Sequence, residues 1–391
     1  MSLPASRRFT VLDSFRGLAA LCVVVFHLHL LQGFSQWDFF RSAGLWVEFF
    51  FVLSGFVLCH SYGQRRFDAG ALRDYLISRC FRILPLHVVM LLVFTLGEVL
   101  LLLANSAGWT RAIAFSGSTD ASQWLPNLLL LQAWLPWTNP FSFNGPAWSI
   151  SVEFYLYLLF GIILLGTAGR LRLRAYLLIA IGCTACVLTG QPFTGSGAFR
   201  GLTCFFMGAL AYEAFRHLRW PAWQSAVYSA LEVLALGALY VALTAQYPHK
   251  SYFACCFFSA FIVLFAREGG AISRLLRQKP FEQLGHWSFS IYLIHFALLH
   301  AVQKVLQHVA SLGGPRWLAW GSEGAVRIEF ISTGSIAGDT LFGLAMLALT
   351  LLLASRTYRH IELPGIAAGK MLRAPRAAMP GDKRRLALAE N

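Results

Sequence analysis

Leu12–His29 reads LDSFRGLAALCVVVFHLH, apolar from Leu18 to Phe26 and bracketed by Arg16 and His27. The two bracketing residues are eleven positions apart. At roughly 100° per residue that is close to a whole number of helical turns, so one helix face carries both, with about 16 Å of axis between them. In a bilayer-crossing helix Arg16 then sits at one surface and His27 near the midplane, where an ionisable group marks a candidate functional site. The same pattern also suits a histidine packed inside a helix, so the rest of the chain has to decide.

The surrounding composition favours the bilayer. Of 391 residues, 57% are hydrophobic and only 13% charged, against about 25% charged in soluble domains. Ten apolar windows are long enough to span, at 15–34, 45–62, 82–104, 146–166, 174–190, 198–215, 225–245, 251–267, 286–306 and 337–355. Gln123–Trp137 is apolar but short, edged by prolines and tryptophans, and reads as an interfacial or re-entrant piece. The polar, basic N-terminus has no cleavage-site pattern after it, so the first run is read as a retained span.

Ten spans alternate the loops, and the 32 Lys and Arg residues divide unevenly between the two sides. One side holds 25 of them, including Arg16, Arg79 and Arg82; the other holds Arg41, Arg111, Lys250, Arg316 and Arg327, with Arg200 and Lys304 at span ends. The basic side is cytoplasmic. The expected fold is therefore all-α, a polytopic transmembrane helical bundle of about ten spans with both termini cytoplasmic. It comprises a membrane domain over 1–364 and a basic, disordered tail over 365–391. The net charge of +14 is a topology signal and calls for no nucleic-acid partner.

Several ionisable residues converge in depth. Glu153 lies about 10 Å below the outer end of its span, level with His27, and His295 also falls near the midplane. A carboxylate and two imidazoles at one depth are costly unless they pair or face water, and a carboxylate that orients a histidine suits base catalysis. Ser149 shares the Glu153 face; Glu48 lies nearer the outer end of the second span and ranks behind Glu153 as a partner. Arg79 and Arg82 point the same way at i and i+3 and, with Arg16, can clamp a phosphorylated ligand, although cytoplasmic span ends attract arginines for topology alone.

Other features carry less. Ser54 and Gly55 in FFFVLSGF read as close helix packing, and the Arg359 and Glu362 pair in RTYRHIELP as an ion pair at the membrane boundary. The eight cysteines form no ligand-spaced cluster with His or Asp, and Cys183 and Cys186 lie in an apolar helix, so no metal or bound cofactor is expected. The aromatic outer segments, about 105–145 and 307–336, suit either sugar stacking or an interfacial belt.

Six stretches, in order, resemble one family. LDSFRGLAALCVVVFH with Arg16 and His27, FFFVLSGFVL, SRCFRILP with Arg79 and Arg82, WSISVEFYL with Ser149 and Glu153, SFSIYLIHF with Tyr292 and His295, and RHIELP are similar to motifs of the acyltransferase 3 family of membrane O-acyltransferases. Glu48 stands where an aspartate is common there. The resemblance implies an integral plasma (inner) membrane enzyme moving an acyl group, commonly acetyl from cytoplasmic acyl-CoA, to a sugar hydroxyl. The acceptor would be a surface polysaccharide, a lipid-linked glycan or a glycosylated metabolite. It implies the single-domain form, without a C-terminal esterase-like domain. On this reading His27 is the general base with Glu153 beside it, Arg16, Arg79 and Arg82 hold the CoA phosphates, and Ser149, Glu48, Tyr292 and His295 support them. The alternative is a proton-coupled transporter or exporter of a glycan-like substrate, which predicts inverted repeats that are not found.

Overall fold

All ten predicted spans fall on helices in the computed structural model, which describes residues 8–65, 67–110, 112–189, 197–218, 223–315, 317–323 and 326–373. These are α1 (Thr10–His27), α2 (Trp46–Tyr62), α3 (Ala69–Ser106), α4 (Ala147–Gly166), α5 (Gly169–Leu188), α6 (Gly197–His217), α7 (Ser225–Thr244), α8 (Lys250–Phe265), α9 (Lys279–Ser311) and α10 (Ile336–Thr357). A π-helical turn, Tyr358–Glu362, and a helix, Leu363–Met371, continue α10. Among the described residues, eight helical segments are long and apolar enough to cross a membrane. The two helices outside that set are α6, which carries Arg200, Glu213 and Arg216, and the 16-residue α8.

Helix ends depart from the apolar windows. The first span was expected over 15–34, but α1 starts at Thr10 and stops at His27, so His27 occupies the last turn instead of the middle of a helix. Polar first turns on α3 and α9 are helical too. Asp68 caps α3 by accepting from Ala71 N at 2.8 Å, which places Arg79 and Arg82 well inside a 38-residue helix. Pro85 lies one turn beyond Phe81, and Leu363–Met371 packs onto α3 there. That helix takes the first part of the predicted tail. Residues 374–391 lie outside the described residues, as do Arg7, Arg66, Arg111, Arg219 and Arg316 from the charge count.

The bundle is not wholly helical, which corrects the all-α expectation. β1 (Leu318–Glu323) and β2 (Val326–Ile331) form an antiparallel hairpin, and Ile331 also bridges to the chain after α1, with Leu31 N donating to Ile331 O at 2.9 Å. Alternating apolar and polar residues over 326–330 (VRIEF) are the strand signal inside this segment. Gln123–Trp137 does not span. It contains the short helix Trp124–Leu128 and dips into the bundle, with Leu130, Asn127 and Gln132 buried. Two of its carbonyls are satisfied there: His87 bonds Asn127 O at 2.8 Å and Ser151 Oγ donates to Leu130 O at 2.5 Å.

Two close helix pairs set the frame for the site. Along α1 and α9, a Cβ on Gly17 would lie 2.4 Å from Leu284 C, and one on Gly285 would lie 2.5 Å from Asp13 O. The backbones therefore touch, and Arg8 reinforces them by donating to Asp13 at 2.9 Å and Glu282 at 2.8 Å. Between α2 and α6 the contact at Gly55 and Gly208 is closer still. Small residues at such crossings are how membrane helices gain dispersion contacts when lipid supplies no hydrophobic drive.

Candidate active site

Because α1 lies against α9, its last turn faces the middle of α9, and His27 meets His295. His295 Nε2 is 3.2 Å from His27 Nδ1, while His27 Nδ1 is 2.9 Å from Val23 O and His295 Nδ1 is 3.1 Å from Ile291 O. Carbonyl oxygens only accept, so a neutral His295 carries its proton on Nδ1 and presents a lone pair at Nε2. His27 Nδ1 must then carry the proton that it shares between Val23 O and His295. Its own Nε2 is left as a lone pair, with no partner among the described residues. Two backbone carbonyls thus fix the tautomers of a histidine pair, and His295, with no exposed surface, is locked between them.

His27 lines a cavity of about 550 Å³ that also meets Glu48, Arg41, Arg200, Lys250 and Trp148. Glu48 is buried 3.2 Å from Arg200 Nη2. A second cavity of about 110 Å³ brings together Arg16, Arg79, Arg82, Ser149, Glu153 and Ser54. Val47 and Tyr292 line both. Tyr292 is held between them, with its hydroxyl 2.8 Å from Ser149 Oγ and 3.2 Å from Pro146 O.

The predicted residues therefore divide into two groups. The three arginines do share one cavity, as expected, and Ser149 joins them. Glu153 is not beside His27, contrary to the predicted pairing. It lines the arginine cavity, where Ser54 Oγ donates to it at 2.5 Å and Tyr157, one helical turn on, also donates. The imidazole partner of His27 is His295 instead. Ser54, read from the sequence as packing, is thus a hydrogen-bond donor in the cavity, while Gly55 does pack closely.

The arginines differ in freedom. Arg82 is tied to the buried Glu362, which also accepts from Ser290 at 2.9 Å, so the boundary ion pair expected at Arg359 and Glu362 is replaced by one between α3 and the π-helical turn. Arg16 lies 3.7 Å from Asp13. Arg79 stands over the Tyr157 ring at 5.7 Å and bonds Ser78, while its buried Nε has no partner. Tyr157 was within reach of sequence reasoning, being four positions after Glu153. Glu362 was quoted in a motif, but nothing in its spacing points to Arg82.

Among the described residues no group of three or more His, Cys, Asp or Glu is placed to hold a metal ion. The geometry offers two spaces that share Val47 and Tyr292 as walls, one rich in guanidinium groups and one lined by the His27 imidazole.

Comparison with known proteins shows the family of the chain. A family described as an acyltransferase domain matches residues 9–355. Acyltransferase MdmB of Streptomyces mycarofaciens is 27% identical over 370 residues, covering 86% of this chain and 90% of its own length. Protein 2 in picA locus of Rhizobium radiobacter is 39% identical over 92 residues, 23% of this chain and 46% of its own length. No solved structure matches the chain. With nearly the whole membrane bundle inside the matched region, the chain belongs to the acyltransferase 3 family and is a multi-pass membrane acyltransferase.

Proposed function

We propose that the protein transfers an acyl group, acetyl by preference, from cytoplasmic acyl-CoA to a sugar hydroxyl of a surface polysaccharide, lipid-linked glycan or glycosylated metabolite. The observation that carries this reading is the meeting of the arginine cavity and the His27 cavity at Tyr292. The chain lies in the plasma membrane with ten spans and both termini cytoplasmic, so the arginine cavity opens to the donor side.

Arg16, Arg79 and Arg82 bind the phosphates of the donor. At about 110 Å³ their cavity is below the roughly 300 Å³ of ordinary ligand pockets, a size that suits a narrow pantetheine arm passing Tyr292 with the nucleotide left at the mouth. Glu153, fed by Ser54 and Tyr157, supplies the counter-charge that keeps three arginines tolerable at that depth. Across Tyr292, His27 Nε2 takes the acceptor proton as the hydroxyl oxygen attacks the thioester carbonyl carbon. The tetrahedral intermediate then expels the CoA sulfur, which receives that proton from the imidazolium, leaving an ester and a free thiol. His295 is a positioning residue, keeping the lone pair of His27 on the cavity side.

Purified protein in lipid nanodiscs with radiolabelled acetyl-CoA tests the reading: label should move to a glycan acceptor with stoichiometric release of CoA thiol. An intact thioester accompanied by movement of glycan across the bilayer would instead make the chain a transporter. Two variants probe the parts. Arg79→Gln removes the guanidinium with unfilled hydrogen-bonding capacity and should raise KM for acetyl-CoA about 30-fold, the equivalent of roughly 2 kcal/mol for a desolvated charged contact, with little change in kcat. His295→Leu deletes the second acceptor of the His27 Nδ1 proton, leaving Val23 O alone to hold the ring, and should lower kcat about tenfold to a hundredfold at unchanged donor KM. Partial recovery in His295→Gln, whose amide oxygen can accept the same proton, separates positioning from packing.

A further inference from the structure

A thioester entering from the arginine side and a hydroxyl activated by His27 can react only where the two cavities border each other. Among the described residues, Val47 and Tyr292 line both. Of these two side chains only the tyrosine carries a hydrogen-bond donor. Its ring is held edge-on to Phe50 at 5.7 Å and to His295 at 6.0 Å. Tyr292 and His295 stand three positions apart on α9, so one face of that helix carries both. The Tyr292 hydroxyl belongs to a hydrogen-bonded triangle that crosses the partition. Ser149 lines the arginine cavity and Pro146 the His27 cavity, while Tyr292 Oη is 2.8 Å from Ser149 Oγ and 3.2 Å from Pro146 O.

The triangle holds more donors than its carbonyl needs. A carbonyl oxygen has two lone pairs, yet Pro146 O is within reach of Ser149 N at 3.3 Å, Ser149 Oγ at 3.0 Å and Tyr292 Oη at 3.2 Å. When the Tyr292 proton turns elsewhere, Ser149 still serves that carbonyl and no buried acceptor is orphaned. The other hydroxyls lining the arginine cavity are committed. Ser54 and Tyr157 donate to the Glu153 carboxylate, and Ser288 donates to Gly285 O at 2.9 Å. The donor that can be released is therefore the one at the partition.

Resting on the acyl-transfer reading above, we infer that Tyr292 is a catalytic hydrogen-bond donor to the oxyanion formed from the thioester carbonyl, with Ser149 as its positioning residue. As the acceptor oxygen bonds to the carbonyl carbon, the C=O π pair moves onto the carbonyl oxygen. The Tyr292 O–H turns from Pro146 O to that oxygen and keeps its proton. Ser149 Oγ–H can then donate to Tyr292 Oη, which polarises the phenol further, while Ser149 N stays on Pro146 O. When the carbonyl re-forms and the C–S bond breaks, the O–H returns to Pro146. The proton taken by His27 still goes to the CoA sulfur. A preorganised donor of this kind acts on charge that develops in the transition state and adds little to binding of the ground state.

Two measurements on the full chain test this. Rates are read with radiolabelled acetyl-CoA in membranes of the native host, which supply the acceptor, with each variant gene replacing the chromosomal copy. Tyr292→Phe keeps the ring and its packing and should lower kcat about a hundredfold at unchanged KM for acetyl-CoA, as loss of one oxyanion donor does. Ser149→Ala should cost about tenfold, and Ser149→Thr should restore most of it. Binding is read by titration calorimetry on purified protein in nanodiscs, using two acetyl-CoA analogues in which CH2 replaces the sulfur. One is a methyl ketone, trigonal at the reacting carbon; the other is a trifluoromethyl ketone, hydrated and tetrahedral there. Wild-type protein should prefer the tetrahedral analogue about tenfold or more, and Tyr292→Phe should lose that preference while binding the methyl ketone as before. A purely structural tyrosine would not separate the two analogues. Unchanged kcat in Tyr292→Phe, a loss confined to KM, or an unchanged analogue preference overturns the inference. Should Tyr292→Phe fail to accumulate, the wild-type preference and its reduction in Ser149→Ala decide, and absence of either overturns it. Wild-type protein that transfers no label overturns acyl transfer and this inference together, whereas equal transfer by wild type and Tyr292→Phe removes the inference alone.

Discussion

His27→Ala is expected to slow acyl transfer about a thousandfold, an increase of roughly 4 kcal/mol in the barrier, within the range that a positioned general base contributes. The variant should still fold and insert. His27 ends α1 and is only half-buried, and its ring touches α9 at His295 and Phe296 only at the end of a crossing whose backbones already meet at Gly17 and Gly285. Its loss enlarges a cavity that is already open. Binding of acetyl-CoA should persist, because the arginines belong to the other cavity. Millimolar imidazole should restore part of the rate, since the space vacated can admit the ring and neither tautomer nor tether is then needed for proton abstraction. Transfer at the original rate in folded His27→Ala would end the assignment of His27 as base, whatever becomes of the donor site.

His27 and the arginines were legible because their evidence is local. An eleven-residue separation on a helix and an i, i+3 pair need no knowledge of neighbouring segments. Charge bias and span order give an expected order of groups along the membrane normal, but azimuth is not legible from them. Glu153 and His27 were matched by level, but level says nothing about which helix face turns toward which neighbour. The α1–α9 contact sets His27 against His295, and Tyr292 stands between that pair and Glu153. Helix ends were the other loss, because apolar windows stop where polarity begins whereas α3 and α9 continue through polar turns. The pairing of Arg82 with Glu362, 280 positions away, depends on how a π-helical turn is seated and has no signature in spacing.

The second large effect concerns the fold. Gly55→Val should prevent accumulation of a detergent-stable protein, because the α2–α6 crossing has no room for a side chain at that point. An added Cβ at Gly55 would lie 1.8 Å from Phe205 O, and one at Gly208 would lie 1.9 Å from Val52 O. Both obstacles are backbone atoms, which no rotamer change can clear, so the helices would have to part. Parting them unpacks Phe51, Phe56, Phe205 and Phe206, each buried in the core, and in lipid lost side-chain packing is not replaced by any gain in hydrophobic burial. Overpacking of an ordinary core costs about 1–3 kcal/mol; a two-sided backbone clash exceeds what such relaxation absorbs. Gly97→Ala and Gly237→Ala are the controls, since nothing lies within 4 Å of either added Cβ, and each should leave melting unchanged or raise it by up to about 1 kcal/mol of helix propensity. The milder Gly55→Ala connects fold to chemistry. Because α2 brings Val47, Glu48 and Ser54 to the two cavities, whatever protein survives with the crossing widened should lose transfer out of proportion to its loss of melting temperature. Wild-type stability and activity in Gly55→Ala would show that α2 and α6 do not approach this closely.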